Sequence, residues 1–414
     1  MILTKEEKAM LAGKKGRGIQ KAISILVKYG KAFDAERLAP VISSHIWAID
    51  PYEFLLDITD GVDKLGVGIT TTHPLSGFFD MDKWQEMGVP DNFAKAEAKL
   101  FNKRLPIYKR LNVLQTFTCL PTLVGNSALK GQIISWMGSG VQLMANSLIG
   151  ARANREGITT VLAAAITGRT PYMGLLKPEK RLAEIIVRLK GINIANCTDT
   201  DLQAVSYYIG EKAQDKNIVI DGLPNNLAFE SLKSLLVPLA VSGAVGICHI
   251  AGITPEAPTI QASLGGKKVL DEIIAGKQEM LESYAKYPGQ DGENVDLVVF
   301  GCPHLTVTEI GQVAALLHGR KVSSNTRLWL GSAEQIITLA GRMGFIDIIE
   351  QAGGVFARCC MAGVPFGRLP NGTKTLATNS IKAAHYISRL TRARVIYGTT
   401  QDCVESAITG VWKR

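Results

Sequence analysis

Two rhythms of apolar residues alternate along this chain. Short runs rich in Val, Ile, Leu and Thr read as strands: VGITTT at 67–72, VLQTFT at 113–118, NIVIDG at 217–222 and AVGICHI at 244–250. VDLVVFG at 295–301, RLWLG at 327–331, GVFAR at 354–358 and ARVIYG at 393–398 follow the same pattern. Between many of them the apolar residues return at helical spacing, as in LTVTEIGQVAALLHG and SAEQIITLAGRMG. Strands apolar at nearly every position are those buried on both faces, so the alternation predicts an α/β protein of several domains, with parallel sheets covered by helices. Thr4 followed by Glu7 forms a capping box, which predicts an N-terminal helix stopping near Gly13.

A length of 414 residues exceeds what one core usually organises. Turn-forming residues cluster near Arg169 to Lys180 and from Tyr287 to Val295. These seams divide the chain into an N-terminal α/β region, 1–168, carrying Cys119; a middle α/β domain, 169–287; and a C-terminal α/β domain, 288–414, carrying Cys302 and Cys360. The charge-free stretch from Leu235 to Ile253 has the length of a membrane span. It contains Pro238, Ser242, Gly243, Gly246 and His249, however, and reads as a helix end, a turn and a buried strand.

Composition narrows the function. Apolar residues are 46% and charged residues 20%, the balance of a globular enzyme. The net charge of +9 is scattered, and the densest basic stretch, Lys14-Lys15-Gly16-Arg17-Gly18, has no interleaved aromatics, so no nucleic-acid footprint is visible. Charges interrupt residues 1–18 where a secretory signal needs an apolar run, which predicts a cytoplasmic protein without a membrane anchor. Seven cysteines in such a chain are reduced thiols or metal ligands rather than a disulfide framework.

Ligand sites in open α/β sheets form beyond the carboxyl ends of strands. Cys119 follows VLQTFT, Cys302 follows VDLVVFG, and Cys359 and Cys360 follow GVFAR. Thiolates at such positions are the ligands that iron–sulfur clusters take, and three of them on a cubane leave one iron open. Each cysteine alone is equally a small buried hydrophobe; Cys197, Cys248 and Cys403 fit that description better. His304 shares the Cys302 site by proximity, and His45 and His73 occupy other strand or loop ends where an imidazole serves as acid, base or anion ligand. A zinc ion held by the same thiols with His304 is an alternative. Walker A, HExxH, strand-linked GxGxxG and GxSxG patterns are absent.

With those cysteines in place the chain resembles the large subunit of aconitase X, a branch of the aconitase superfamily, over nearly its whole length. The matching words are LTKEEKAMLAG, TFTCLP around Cys119, ANSLIGARANREG (145–157), AITGRTPY (165–172), HIAGITPEAP (249–258), GCPHLTVTEI (301–310) and ATNSIKAAHY (377–386). The resemblance implies α/β domains around an iron–sulfur cluster, [4Fe-4S] ahead of [2Fe-2S], held by Cys119, Cys302 and Cys360. It also implies a small swivel-domain subunit supplying a catalytic serine, and removal of water from a small hydroxy acid such as cis-3-hydroxy-L-proline or phosphomevalonate. Asn146, Ser147, Arg152, Asn379, Ser380 and Lys382 are then candidates to hold the substrate, since Arg and Lys suit carboxylates. Ser139, with His45, His73 and His304, completes the catalytic candidates. Departures from the family pattern are Gly138 at a usual glutamate, Ala153 at a threonine, Leu176 at a histidine and Arg358 at an aspartate. They motivate a second reading, a catalytically silent relative that binds a small acid or a partner.

Overall fold

A computed structural model describes residues 1–74, 79–363 and 369–413. Among them the strands form four sheets, three of which are entirely parallel. The C-terminal sheet has five strands in the order Gly354–Ala357, Arg327–Gly331, Leu297–Phe300, Thr375–Thr378 and Arg394–Tyr397. The middle sheet runs Cys248–Ile250, Ile218–Asp221, Ile185–Leu189, Asp271–Ala275. Near the N-terminus Ser43–Ile46 lies between Ile69–Thr72 and Ile134–Trp136. An antiparallel pair, Leu38–Pro40 with Arg169–Pro171, makes the fourth sheet.

The C-terminal sheet shows why its strands are apolar throughout. Successive side chains point to opposite faces, so Leu297, Val299, Trp329 and Leu376 enter one core. Their neighbours Val298, Phe300, Leu328, Leu330 and Ala377 enter another. Helices Val307–Leu317, Glu334–Arg342 and Thr400–Thr409 follow three of these strands, the first and last opened by capping boxes at Thr306/Glu309 and Thr399/Asp402. The box at Thr4 and Glu7 also forms, and its helix, Lys5–Leu11, stops just before Gly13. The charge-free stretch resolves into the end of helix Phe229–Ser242 and strand Cys248–Ile250. Among the described residues no helix is long and apolar enough to cross a membrane.

The run 113–118 departs from expectation. Leu114 donates its amide to Thr70 O at 2.8 Å and Thr118 donates to Thr72 O at 3.1 Å. Phe117, however, has φ 42 and gives its amide to the Thr72 hydroxyl, so the segment follows the sheet edge without becoming a strand. That bend delivers Cys119 to the carboxyl end of Ile69–Thr72.

Candidate functional site

Cys302 is placed by a backbone contact. Gly301 has φ +97, and a Cβ there would stand 2.2 Å from Gly331 O, so only glycine lets the chain turn so closely over the adjacent strand. Two residues later His304 ties three loops together. Its amide donates to Cys119 Sγ at 3.1 Å, and its Nε2 donates to Cys359 O at 2.9 Å. A carbonyl only accepts, so the Nε2 tautomer is fixed, and Nδ1 stays buried without a partner. Behind this turn Lys233, from the helix of the middle domain, reaches His304 O at 3.4 Å and pairs with the Glu309 carboxylate. Ser380 donates its hydroxyl to Cys302 O and accepts from Ala383 N, capping the helix Ile381–Leu390 whose first turn carries Lys382.

The thiols of Cys119, Cys302 and Cys360 all lie within the electrostatic reach of one cation, Lys382. Burial pushes each thiol up, Cys302 to about 12, while the Lys382 ammonium pulls all three down. Amides of Gly363 and Ala362 also favour the Cys360 thiolate. Burial works against the Lys382 charge, yet its pKa is raised, chiefly by Cys302 and Cys119. No carboxylate pairs with Lys382 among the described residues. A desolvated ammonium without a carboxylate is costly unless anions face it, and the three sulfur atoms would meet that need once ionised as ligands. The donor set thus fits a thiolate-ligated group. Among the described residues no three Cys, His, Asp or Glu side chains stand close enough to hold a metal ion. A cluster distributes its thiolates over several irons.

A cavity of about 580 Å³ opens on this centre, bordered by Cys360, Lys382, His73 and Ser139 among the expected residues. His45 stands behind it, its ring 5.5 Å from that of His73 and its Nδ1 2.8 Å from Thr71 Oγ1. Burial lowers all three histidines, His45 to about 3, His304 to about 4 and His73 well below its usual value. They are neutral imidazoles at physiological pH, and burial of the charged form makes each a weak base.

Other expected residues are held elsewhere. Asn146 spends its amide on Ala153 O, Gly246 O and Ala153 N, and Arg181 caps its oxygen at 3.2 Å. Ser147 accepts from Cys248 N, and Arg152 donates to Leu176 O. These three link the first region to the middle domain and do not border the cavity, and Arg152 Nε is buried without a partner. Asn379 gives its amide to Thr400 Oγ1, and with Ser380 it borders a void of about 20 Å³ on the Cys302 side. Neither borders the larger cavity, and Ser380 alone bonds the Cys302 loop. Leu176 is fully buried in its own turn, and Arg358 is engaged by Asp80, Asp82 and Glu334. Gly138 does border the cavity.

Sequence reasoning missed Trp47, Arg155, Glu156 and Tyr386, which line the same space. Glu156 accepts hydroxyl hydrogens from Ser135 at 2.5 Å and Thr170 at 2.7 Å, and burial raises its pKa despite them. Arg155 and Glu156 lie inside the word ANSLIGARANREG, and Tyr386 closes ATNSIKAAHY. Those words carried the signal, but their most polar-looking members drew the choice to Asn146 and Arg152.

Family models for aconitase X match nearly end to end: the first domain over residues 1–179, the second over 183–285 and the third over 295–409. The phosphomevalonate dehydratase large subunit of Methanocaldococcus jannaschii is 34% identical, the match spanning 98% of this chain and 100% of that protein. The cis-3-hydroxy-L-proline dehydratase of Pseudomonas aeruginosa is 30% identical across 98% of this chain and 69% of its own length. Among solved structures, the holo form of aconitase X from Thermococcus kodakaraensis superposes with a TM-score of 0.85 at 28% identity, covering 98% of this chain and all of that one.

Proposed function

The chain belongs to the aconitase X family, and on that footing we propose that it is the large subunit of an iron–sulfur-dependent dehydratase that removes water from a small hydroxy acid. The observation that supports this reading is the approach of three cysteine loops to His304 and Lys382: the His304 amide donates to Cys119 Sγ, its Nε2 donates to Cys359 O, and the thiols of Cys119, Cys302 and Cys360 all feel the Lys382 charge. Cys119, Cys302 and Cys360 would hold the cluster, which when bound supplies an open iron as Lewis acid for the leaving hydroxyl. The chain's own residues do the rest. Lys382, on the cavity wall, attracts the substrate carboxylate. His73 and Glu156 border the same space, burial lowering the pKa of the first and raising that of the second, and Ser139 adds a hydroxyl at its edge. Burial of the site strengthens each of these interactions by excluding water. Relatives named as large subunits support a small partner subunit, and the family resemblance implies that this partner is a swivel domain supplying a catalytic serine. The test is a dehydration screen of hydroxy acids with this chain alone and with its small subunit, after anaerobic loading with iron and sulfide. Elimination by the pair and none by the chain alone is expected. A loaded pair inert across the panel overturns the dehydratase reading, and full turnover by the single chain overturns the two-subunit reading.

A further inference from the structure

The N-terminal sheet holds a buried line of polar side chains in which the place of each hydrogen can be worked out atom by atom. Trp136 gives its indole N–H to Ser43 Oγ at 2.7 Å, and an indole nitrogen only donates. Ser43 therefore turns its own hydrogen to Asn126 Oδ1, 2.6 Å away. The Asn126 amide has one possible orientation, since its nitrogen reaches Ser44 O at 3.0 Å and a carbonyl only accepts. Its second N–H goes to Thr71 Oγ1 at 2.7 Å. Thr71 stands 2.8 Å from His45 Nδ1, the acceptor left for its hydroxyl hydrogen. Ser43, Asn126, Thr71 and His45 are all fully buried. An unspent hydroxyl hydrogen is costly there, so the line runs one way and Nδ1 accepts. That leaves the hydrogen of a neutral His45 on Nε2.

The strand register sets this line against the loop of Cys119. His45 lies opposite Thr71 on one neighbouring strand and opposite Trp136 on the other. In the chain Thr118 directly precedes Cys119, and Asn126 follows it across the short turn Pro121–Val124. Asn126 N donates to Pro121 O at 3.0 Å, which closes the turn, and Thr118 N donates to Thr72 O at 3.1 Å, which lays the near end on the sheet edge. Burial lowers the His45 pKa to about 3, and the Thr118 carbonyl works the other way from close to the ring. Nε2 closes no full hydrogen bond among the described residues. Both ends of the Cys119 loop thus rest on the same line, the far end through the Asn126 side chain and the near end beside His45.

Resting on the cluster reading, we propose that His45 is a positioning residue for Cys119, held as the Nε2–H tautomer by Asn126 and Thr71 so that its hydrogen is aimed at the Thr118 carbonyl. Cys119 Sγ is thereby kept where the His304 amide meets it, 3.1 Å away. His73, which borders the cavity with its ring 5.5 Å from that of His45, is the imidazole of this pair that faces a ligand.

Nitrogen NMR on the full chain with isotope-labelled histidine, before iron and sulfide are added, reads the tautomer. Wild-type His45, assigned by the signal missing from His45→Gln, should carry its proton on Nε2; a proton on Nδ1 overturns the proposal whatever the variants do. The positioning role is read by iron release to a chelator from the reconstituted chain. In His45→Gln the amide nitrogen reaches the place of Nε2, whereas in His45→Asn it reaches only the place of Nδ1. Iron should leave the Gln variant at the wild-type rate and the Asn variant roughly fivefold faster, as the loss of one hydrogen bond predicts. Equal rates for the two variants overturn the positioning role. Because the tautomer is read without iron, a chain that takes up none sinks the cluster reading while the spectrum still decides the tautomer. A proton on Nδ1 leaves the cluster and dehydratase readings standing.

Discussion

Replacing Arg358 by alanine removes the clasp that holds the Cys360 loop against the segment beginning at Phe79. Arg358 donates to Asp80 from its backbone N at 3.0 Å, from Nε at 2.7 Å and from Nη2 at 2.7 Å, and Asp80 is only 1% exposed. Hydrogen bonds to a charged group contribute about 1.5–3 kcal/mol each. Two are lost in the variant, but Asp80 keeps the amides of Arg358 and Asp82, and the Arg358 side chain is already 26% exposed. The net cost should be about 2–3 kcal/mol, with the exposed partners Asp82 and Glu334 adding little. Burial raises the Asp80 pKa, but hydrogen bonds from Arg358 outweigh it and leave it lowered. A carboxylate lowered on folding stabilises the protein above its unfolded pKa of about 3.9, and that stability is lost as pH falls through the folded value. The wild-type advantage over Arg358→Ala should therefore be full at neutral pH and shrink on acidification. Urea unfolding followed by tryptophan fluorescence, repeated across pH and in a cycle with Asp80→Asn, measures it. A loss below about 0.5 kcal/mol at neutral pH, or costs that simply add in the double variant, would refute the reasoning.

Gly138→Ala should lose about 1–2 kcal/mol from positive φ alone, and weaken ligand binding further because the new methyl displaces His73; chemical unfolding and calorimetry check both, and an unchanged affinity defeats the second part. Lys233→Met leaves Glu309 without the cation that buries beside it, a loss of about 3 kcal/mol, which a denaturation midpoint reads directly. Because burial raises all three thiols, cluster loading must displace protons and should grow with rising pH. Lys382→Met removes the charge that lowers them and should move the loading curve to higher pH; a curve that stays put contradicts the electrostatic role given to Lys382.

Much of the architecture was legible because parallel strands buried on both faces leave unbroken apolar runs: Arg327–Gly331 coincides with its predicted span. Ser43–Ile46 escaped notice for the opposite reason. Its residues are polar and buried, satisfied by Asn126 and Thr71 across the sheet, and no hydropathy pattern marks such a strand. The run 113–118 misled because Val, Leu and Thr favour extension, while the left-handed turn at Phe117 is set by a tertiary hydrogen bond to Thr72. At the site, strand-end logic holds for Cys302 and Cys359, which come shortly after Leu297–Phe300 and Gly354–Ala357, and fails for Cys119, whose preceding run is not a strand. It did not locate Trp47 or Glu156, since which polar residue faces a cavity depends on what the rest of the chain consumes, as Asn146 shows.

The meeting of the thiols is tested most directly by anaerobic reconstitution with iron and sulfide, followed by visible absorption and by iron and sulfide analysis of the wild type and of four Cys→Ser variants. Cys119→Ser, Cys302→Ser and Cys360→Ser should each lose the brown colour and its iron, while Cys359→Ser, whose carbonyl rather than its thiol is used by His304, should keep both. A wild-type protein that stays colourless, or a Cys359 variant as depleted as the other three, would contradict the account.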